Sequence, residues 1–122
     1  MVQIIGDVAV SAKELALLDL GETPKHAWRP IHAVVAGERW DHPLLLLTDR
    51  RMFLIKERLF GKVRADYVAA WRDVNRVSGD GWLGSFVYIQ LDVQSAAGDL
   101  ALVMSPEKAA DAEGAIRAGY LQ

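Results

Sequence analysis

The sequence of 122 residues predicts an α+β domain, mainly β, in which an extra short N-terminal helix precedes about seven antiparallel strands and a C-terminal helix caps them. Three observations carry this reading. Apolar residues repeat every second position through the middle of the chain. Helix-starting signals occur only near the two ends. Apolar residues make up 52% of the chain, enough for one core in one domain of this length.

The first element opens at Ser11-Ala12-Lys13-Glu14, a capping box. The serine hydroxyl can accept from the backbone N–H three residues on, and Glu14 can reach back to the cap. Leu15, Ala16, Leu18 and Leu20 follow at helical spacing, and Gly21 suits the position after the last turn. These signals predict an amphipathic helix of about nine residues, too short to persist without tertiary packing.

From Ile31 the pattern becomes β. Ile31 to Arg39 reads as a strand, Asp41-His42-Pro43 as a turn, and Leu44 to Thr48 as a buried strand. Met52 to Arg58 and Lys62 to Ala70 follow, the latter alternating Val63, Ala65, Tyr67 and Ala69 with Lys62, Arg64 and Asp66. Leu59-Phe60-Gly61 would join them as a three-residue hairpin loop, with Gly61 in the left-handed position. Trp71 to Val77 is a further strand, Gly79 to Gly84 a turn, and Val87, Ile89, Leu91 and Val93 alternate over the next strand. Ser95-Ala96-Ala97-Gly98 is a loop, and Asp99 to Met104 the last strand. Ser105-Pro106-Glu107 then supplies a cap, a proline at the first helical position and an acid in the first turn. Ala109, Ala112, Ile116 and Tyr120 form one apolar stripe along that helix.

Composition narrows the function. The chain has no cysteine, which excludes disulfides, thiolate metal sites and cysteine nucleophiles and fits a reducing, cytoplasmic setting. Leu44-Leu45-Leu46-Leu47 is the longest leucine run, far short of the roughly 20 apolar residues that span a bilayer. Net charge is -2 but zoned. Residues 1–49 carry 4 basic and 7 acidic side chains, residues 50–64 carry 6 and 1, and residues 65–122 carry 4 and 8. The overall balance argues against general nucleic-acid binding, while the middle segment is a local basic island.

Two constellations are candidate binding elements. In the expected hairpin, Arg58 faces Lys62 and Lys56 faces Arg64, with Leu59 and Phe60 at the tip. Like charges directly opposite are unfavourable by about 0.2–1 kcal/mol per pair. An anionic membrane or phosphorylated head group would offset that repulsion; solvated edge protection is the plainer explanation. The second constellation is Trp82 and Leu83 between Gly81 and Gly84. Folded inward, as is expected of such a pair, they extend the core; exposed, they would anchor a protein partner. Trp28, Trp40 and Trp71 are expected to be packing residues. His26, His32 and His42 match no metal-ligand spacing, and the serines sit in no nucleophile-elbow context. The sequence therefore points to no catalytic residue, cofactor or metal.

Gly37-Glu38, Leu46-Leu47-Thr48-Asp49-Arg50-Arg51-Met52, Leu59-Phe60-Gly61-Lys62 and Ala70 to Val77, followed by a glycine loop and a terminal helix, resemble the short bacterial pleckstrin-homology-like domains of YokE type. The resemblance covers roughly residues 31–121, dividing the chain into a helical extension (1–30) and a PH-like domain (31–122). It implies a strongly bent seven-stranded barrel plugged at one end by the C-terminal helix. Phosphoinositide-reading members of the wider superfold use basic residues of the first hairpin, and Asp41-His42-Pro43 offers no such cluster. Function follows from sites and not from folds. The expectation is a non-enzymatic module that binds a protein partner or self-associates, with anionic head groups as the alternative ligand.

Overall fold

A computed structural model describes residues 2–58 and 61–121, with the backbone alone at Asp80. The chain is mainly β, with one short and one long helix. The strands are β1 (Val2–Ile5), β2 (Val8–Ser11), β3 (Pro24–Trp28), β4 (His32–Val35), β5 (Glu38–Asp41) and β6 (Leu44–Thr48). They continue with β7 (Arg51–Ile55), β8 (Tyr67–Ala70), β9 (Val74–Leu83), β10 (Phe86–Val93) and β11 (Leu100–Met104). Helix α1 is Ala12–Leu15, helix α2 is Pro106–Tyr120, and a 3-10 turn occupies Trp71–Asp73.

These strands form a β1-β2 hairpin, a five-stranded sheet in the order β5-β4-β11-β10-β9, and a four-stranded sheet in the order β3-β6-β7-β8. Every pairing is antiparallel. The chain passes between the two larger sheets three times, once through the 3-10 turn Trp71–Asp73 between β8 and β9 and twice at neighbouring corners. Arg29-Pro30-Ile31 joins β3 to β4, and His42-Pro43 joins β5 to β6. A proline at each corner removes a ladder donor where the strand must leave its sheet. His42 takes a positive φ of 47°, and its N–H donates to the Ile31 carbonyl at 3.1 Å, tying the corners together.

The main core lies between the two sheets and α2. Leu45, Leu47, Leu54, Ile89, Leu91 and Leu102 meet Ala109, Ala112 and Ile116 of the helix there. The apolar stripe of α2 is thus turned inward, with Tyr120 packed against the edge of the core. A second core covers the opposite face of the four-stranded sheet. Leu44, Leu46, Phe53 and Ile55 pack there against Ile5 and Val10 of the N-terminal hairpin, with Leu15, Leu17 and Leu18 alongside. Leu44 to Leu47 are consequently all buried, as expected of a strand covered on both faces.

Three expectations need correction. Eleven strands are described in place of seven, partly because Ile31 to Arg39 turns back at Ala36-Gly37, both at positive φ. The first thirty residues hold three strands and one four-residue helix, and β3 belongs to the four-stranded sheet. The capping box at Ser11 forms as expected, with the Glu14 N–H donating to Ser11 Oγ at 3.1 Å and the Ser11 N–H to Glu14 Oε1 at 2.8 Å. The helix nevertheless stops after Leu15. Beyond it, Leu17 and Leu18 turn with i to i+3 bonds that lay both leucines on the second core.

The turn is then held by Glu22. Its carboxylate accepts from Thr48 Oγ1 (2.6 Å), Arg51 Nε (3.0 Å), Arg51 Nη2 and the Asp19 N–H (2.9 Å). Burial pushes the Glu22 carboxyl up, but hydrogen bonds from Arg51, Thr48 and the Asp19 N–H outweigh it and bring it down to about 2. The Arg51 guanidinium also lies over the Phe53 ring at 4.6 Å. No described helix is long and apolar enough to cross a membrane.

Candidate functional site

The β9-β10 ribbon carries the clearest exposed feature. Leu83 pairs with Phe86, Trp82 with Val87 and Gly81 with Tyr88. Gly84, at φ 61°, supplies the positive φ that a tight two-residue connection needs. Trp82 is 65% exposed, Leu83 51% and Phe86 37%. Trp82 and Leu83 therefore project outward, contrary to the expectation that they extend the core. Strand alternation places Trp82 on the side of Val87, which packs against the main core. Leu83, Phe86 and Tyr88 share the other face. Gly81 leaves room for the Tyr88 ring to lie across it, since a Cβ there would sit 3.1 Å from Tyr88 Cδ1. Phe86 is the residue that sequence reading missed. Its position directly before the alternating run Val87 to Val93 was the available signal.

Helix α2 fastens the rest of this edge strand. Arg117 Nη2 donates to the Val77 carbonyl at 2.8 Å, and the Glu113 carboxylate lies over Gly79, where a Cβ would collide with it. Coverage of an edge strand blunts unwanted pairing. Gly81 to Leu83 extend beyond these two contacts.

The basic segment is built differently from the expected hairpin. Strand β7 ends at Ile55 and β8 begins at Tyr67, so Lys56, Arg58, Lys62 and Arg64 lie in the connection and do not face one another across a ladder. Leu59 and Phe60 lie outside the described residues. Asp66 organises this connection. Its carboxylate accepts from the Lys56 N–H (2.7 Å) and from Arg58 Nη2, and lies 3.4 Å from Arg64 Nε. Burial pushes Asp66 up, but hydrogen bonds from Arg58, the Lys56 N–H and Arg64 hold it below its ordinary value. Lys56 Nζ pairs with Glu38 at 3.2 Å and lies 4.7 Å from the centre of the Trp40 ring. Three of the four cations thus have acidic partners that their spacing did not reveal. Arg29, Lys56, Arg58 and Lys62 still line one cavity of about 260 Å³, shared with Glu14 and Glu57. One Arg58 nitrogen, Nη1, is buried and has no hydrogen-bond partner among the described residues.

The histidines do not converge. His26 is exposed and stacked on Trp28 with ring centroids 5.6 Å apart, and His42 sits at the strand corner. His32 is buried, its Nδ1 has no partner among the described residues, and its pKa is lowered by loss of solvent, then by Arg39. Among the described residues no group of three His, Asp or Glu could hold a metal ion. Compared with known proteins, the chain matches no family model and no curated protein.

Proposed function

We propose that the chain is a cytoplasmic, non-enzymatic docking module that binds a protein partner or a second copy of itself, with the β9-β10 tip as its anchor. The single observation behind this reading is the exposure of Trp82 together with Leu83 and Phe86 on one projecting ribbon. The few residues that dominate interface energetics are enriched in tryptophan, and truncating such an anchor costs about 2 kcal/mol or more. The tip has little reason to be apolar in a chain that functions alone in water.

A pleckstrin-homology-like architecture fits the same reading. Taken as continuous strands broken at the proline corners, β3 with β4 and β5 with β6 become two bent strands. Together with β7 to β11 they amount to seven extended segments, sealed by α2. That superfold is a common platform for docking, although a fold alone selects no partner.

The test is retention of partners on immobilised protein, paired with light scattering of the purified chain. Trp82→Ala with Leu83→Ser is expected to lose the retained protein, or the concentration-dependent dimer, while melting as the parent does. Retention of the same proteins by parent and variant, with both strictly monomeric, overturns the proposal.

The cavity lined by Arg29, Lys56, Arg58 and Lys62 favours a second reading, capture of a phosphorylated or anionic lipid head group. Co-sedimentation with anionic vesicles decides it. Lys56→Glu with Lys62→Glu should abolish binding, whereas equal, salt-insensitive binding by parent and variant sinks this alternative.

A further inference from the structure

The β3 edge is one of the sheet edges, with those of β5 and β8, that no described strand covers. Strand β3 pairs with β6 on one side, and no described strand pairs with it on the other. That free edge lines a cavity of about 680 Å³, with Lys25, His26 and Trp28 on the strand side and Ala110, Asp111 and Gly114 on the α2 side. The hairpin turn at Gly6-Asp7 borders one end. A second cavity of about 240 Å³ shares Lys25, His26 and Ala115, and continues to Thr48, Asp49 and Gly119. Together they form one groove between strand and helix. Five strand residues span about 17 Å, close to the roughly 14 Å of helix from 110 to 119.

From this geometry we infer that the β3-α2 groove takes up an extended segment of a partner protein, which adds to β3 as a further strand. Main-chain groups of the open edge supply the pairing, and the groove walls select the side chains. The charges define which segment. Asp7 and Asp111 border one cavity, Lys25 and His26 are common to both, and Asp49 borders the other. Lys25, His26, Asp7 and Asp111 form no ion pair among the described residues. The complementary strand carries basic, acidic and basic side chains at alternate positions, all on the face turned to the groove. A lysine on an open edge discourages indiscriminate pairing, which favours a charge-matched strand over an apolar one.

Gly114 supports the same conclusion. It sits within α2, yet a Cβ added there would meet nothing within 4 Å. Glycine is among the poorest helix formers, and nothing inside the chain requires one at this position. At Gly119 the opposite holds, because a Cβ would press on the Trp71 ring at 2.8 Å. A strand lying along the groove would use the space over Gly114.

The inference is independent of the β9-β10 tip, and the experiment keeps the two apart. The probe is an acetylated, amidated peptide Lys-Val-Glu-Val-Lys, titrated into the 15N-labelled full chain. Expected are amide shifts confined to residues 24–28 and 110–119, with slowed amide exchange along β3. Gly114→Leu fills the groove with a better helix former, so it folds while weakening the peptide at least about tenfold. Trp82→Ala leaves peptide binding unchanged. The charge-inverted peptide Glu-Val-Lys-Val-Glu and a version with proline replacing the second valine bind more weakly. Absence of shifts at these residues overturns the inference. So does equal binding by Gly114→Leu or by the inverted peptide, or loss of binding in Trp82→Ala.

Discussion

Replacing Glu22 by Gln should remove most of the acid sensitivity that the N-terminal segment confers. The Glu22 side chain is fully buried, and its carboxylate is tied to Thr48, Arg51 and the backbone of Asp19. Those partners bring its pKa from 4.5 down to about 2. Each unit of difference between folded and unfolded states corresponds to about 1.4 kcal/mol, so ionised Glu22 contributes roughly 3 kcal/mol. Because the folded value is the lower one, that contribution is complete above pH 4.5 and disappears as the pH falls toward 2. Urea unfolding followed by tryptophan fluorescence at half-unit steps from pH 2 to pH 7 measures it. The parent should lose about 3 kcal/mol more than Glu22→Gln across this window. Asp66, whose pKa is also lowered, titrates in both proteins and cancels in the comparison. Parallel pH profiles for the two would refute the role assigned to the Glu22–Arg51 pair.

Other consequences follow from burial. Ile116→Ala removes a fully buried side chain at the seal between α2 and the sheets, and should cost about 2–5 kcal/mol by chemical denaturation. Deleting residues 1–11 strips Ile5 and Val10 from the second core, so the remaining chain should bind a hydrophobic dye and lose thermal stability while keeping much of its β signal. Trp82→Ala should change stability by less than about 0.5 kcal/mol, because its side chain is mostly in water. Gly114→Ala should raise stability by about 0.5–1 kcal/mol through helix propensity alone, measured as a higher urea midpoint.

Local chemistry was the part of this fold most readable from sequence. Pro106 at the first helical position, Glu107 in the first turn and the stripe Ala109, Ala112, Ile116 mark α2 almost to the residue, although the Ser105 side chain makes no capping hydrogen bond. Leu44 to Leu47 reads as a buried strand, yet the run does not say what covers its second face. The N-terminal hairpin does so, and its signal was Gly6-Asp7 between two short apolar runs. Alternation at Val63 and Ala65 was a true sign of burial but a poor sign of pairing. Both side chains pack on the second core without entering a ladder, while Asp66 turns to collect Lys56, Arg58 and Arg64. Glycines caused the opposite error. Gly79 and Gly81 read as a turn, but they lie within β9 and make room for Glu113 and Tyr88. The exposure of Trp82 and Leu83 was legible only as one of two alternatives, because the direction of a hairpin tip depends on where the rest of the sheet ends.

The proposed docking role of the β9-β10 tip is tested most directly by site-specific photocrosslinking in cells. A photoreactive phenylalanine analogue would replace Phe86 and, in a reference protein, the exposed Lys108 on α2. A discrete adduct at position 86, to one protein or to a second copy of this chain, with none at position 108, is the expected result. No adduct at 86, or the same adducts at both positions, would contradict it.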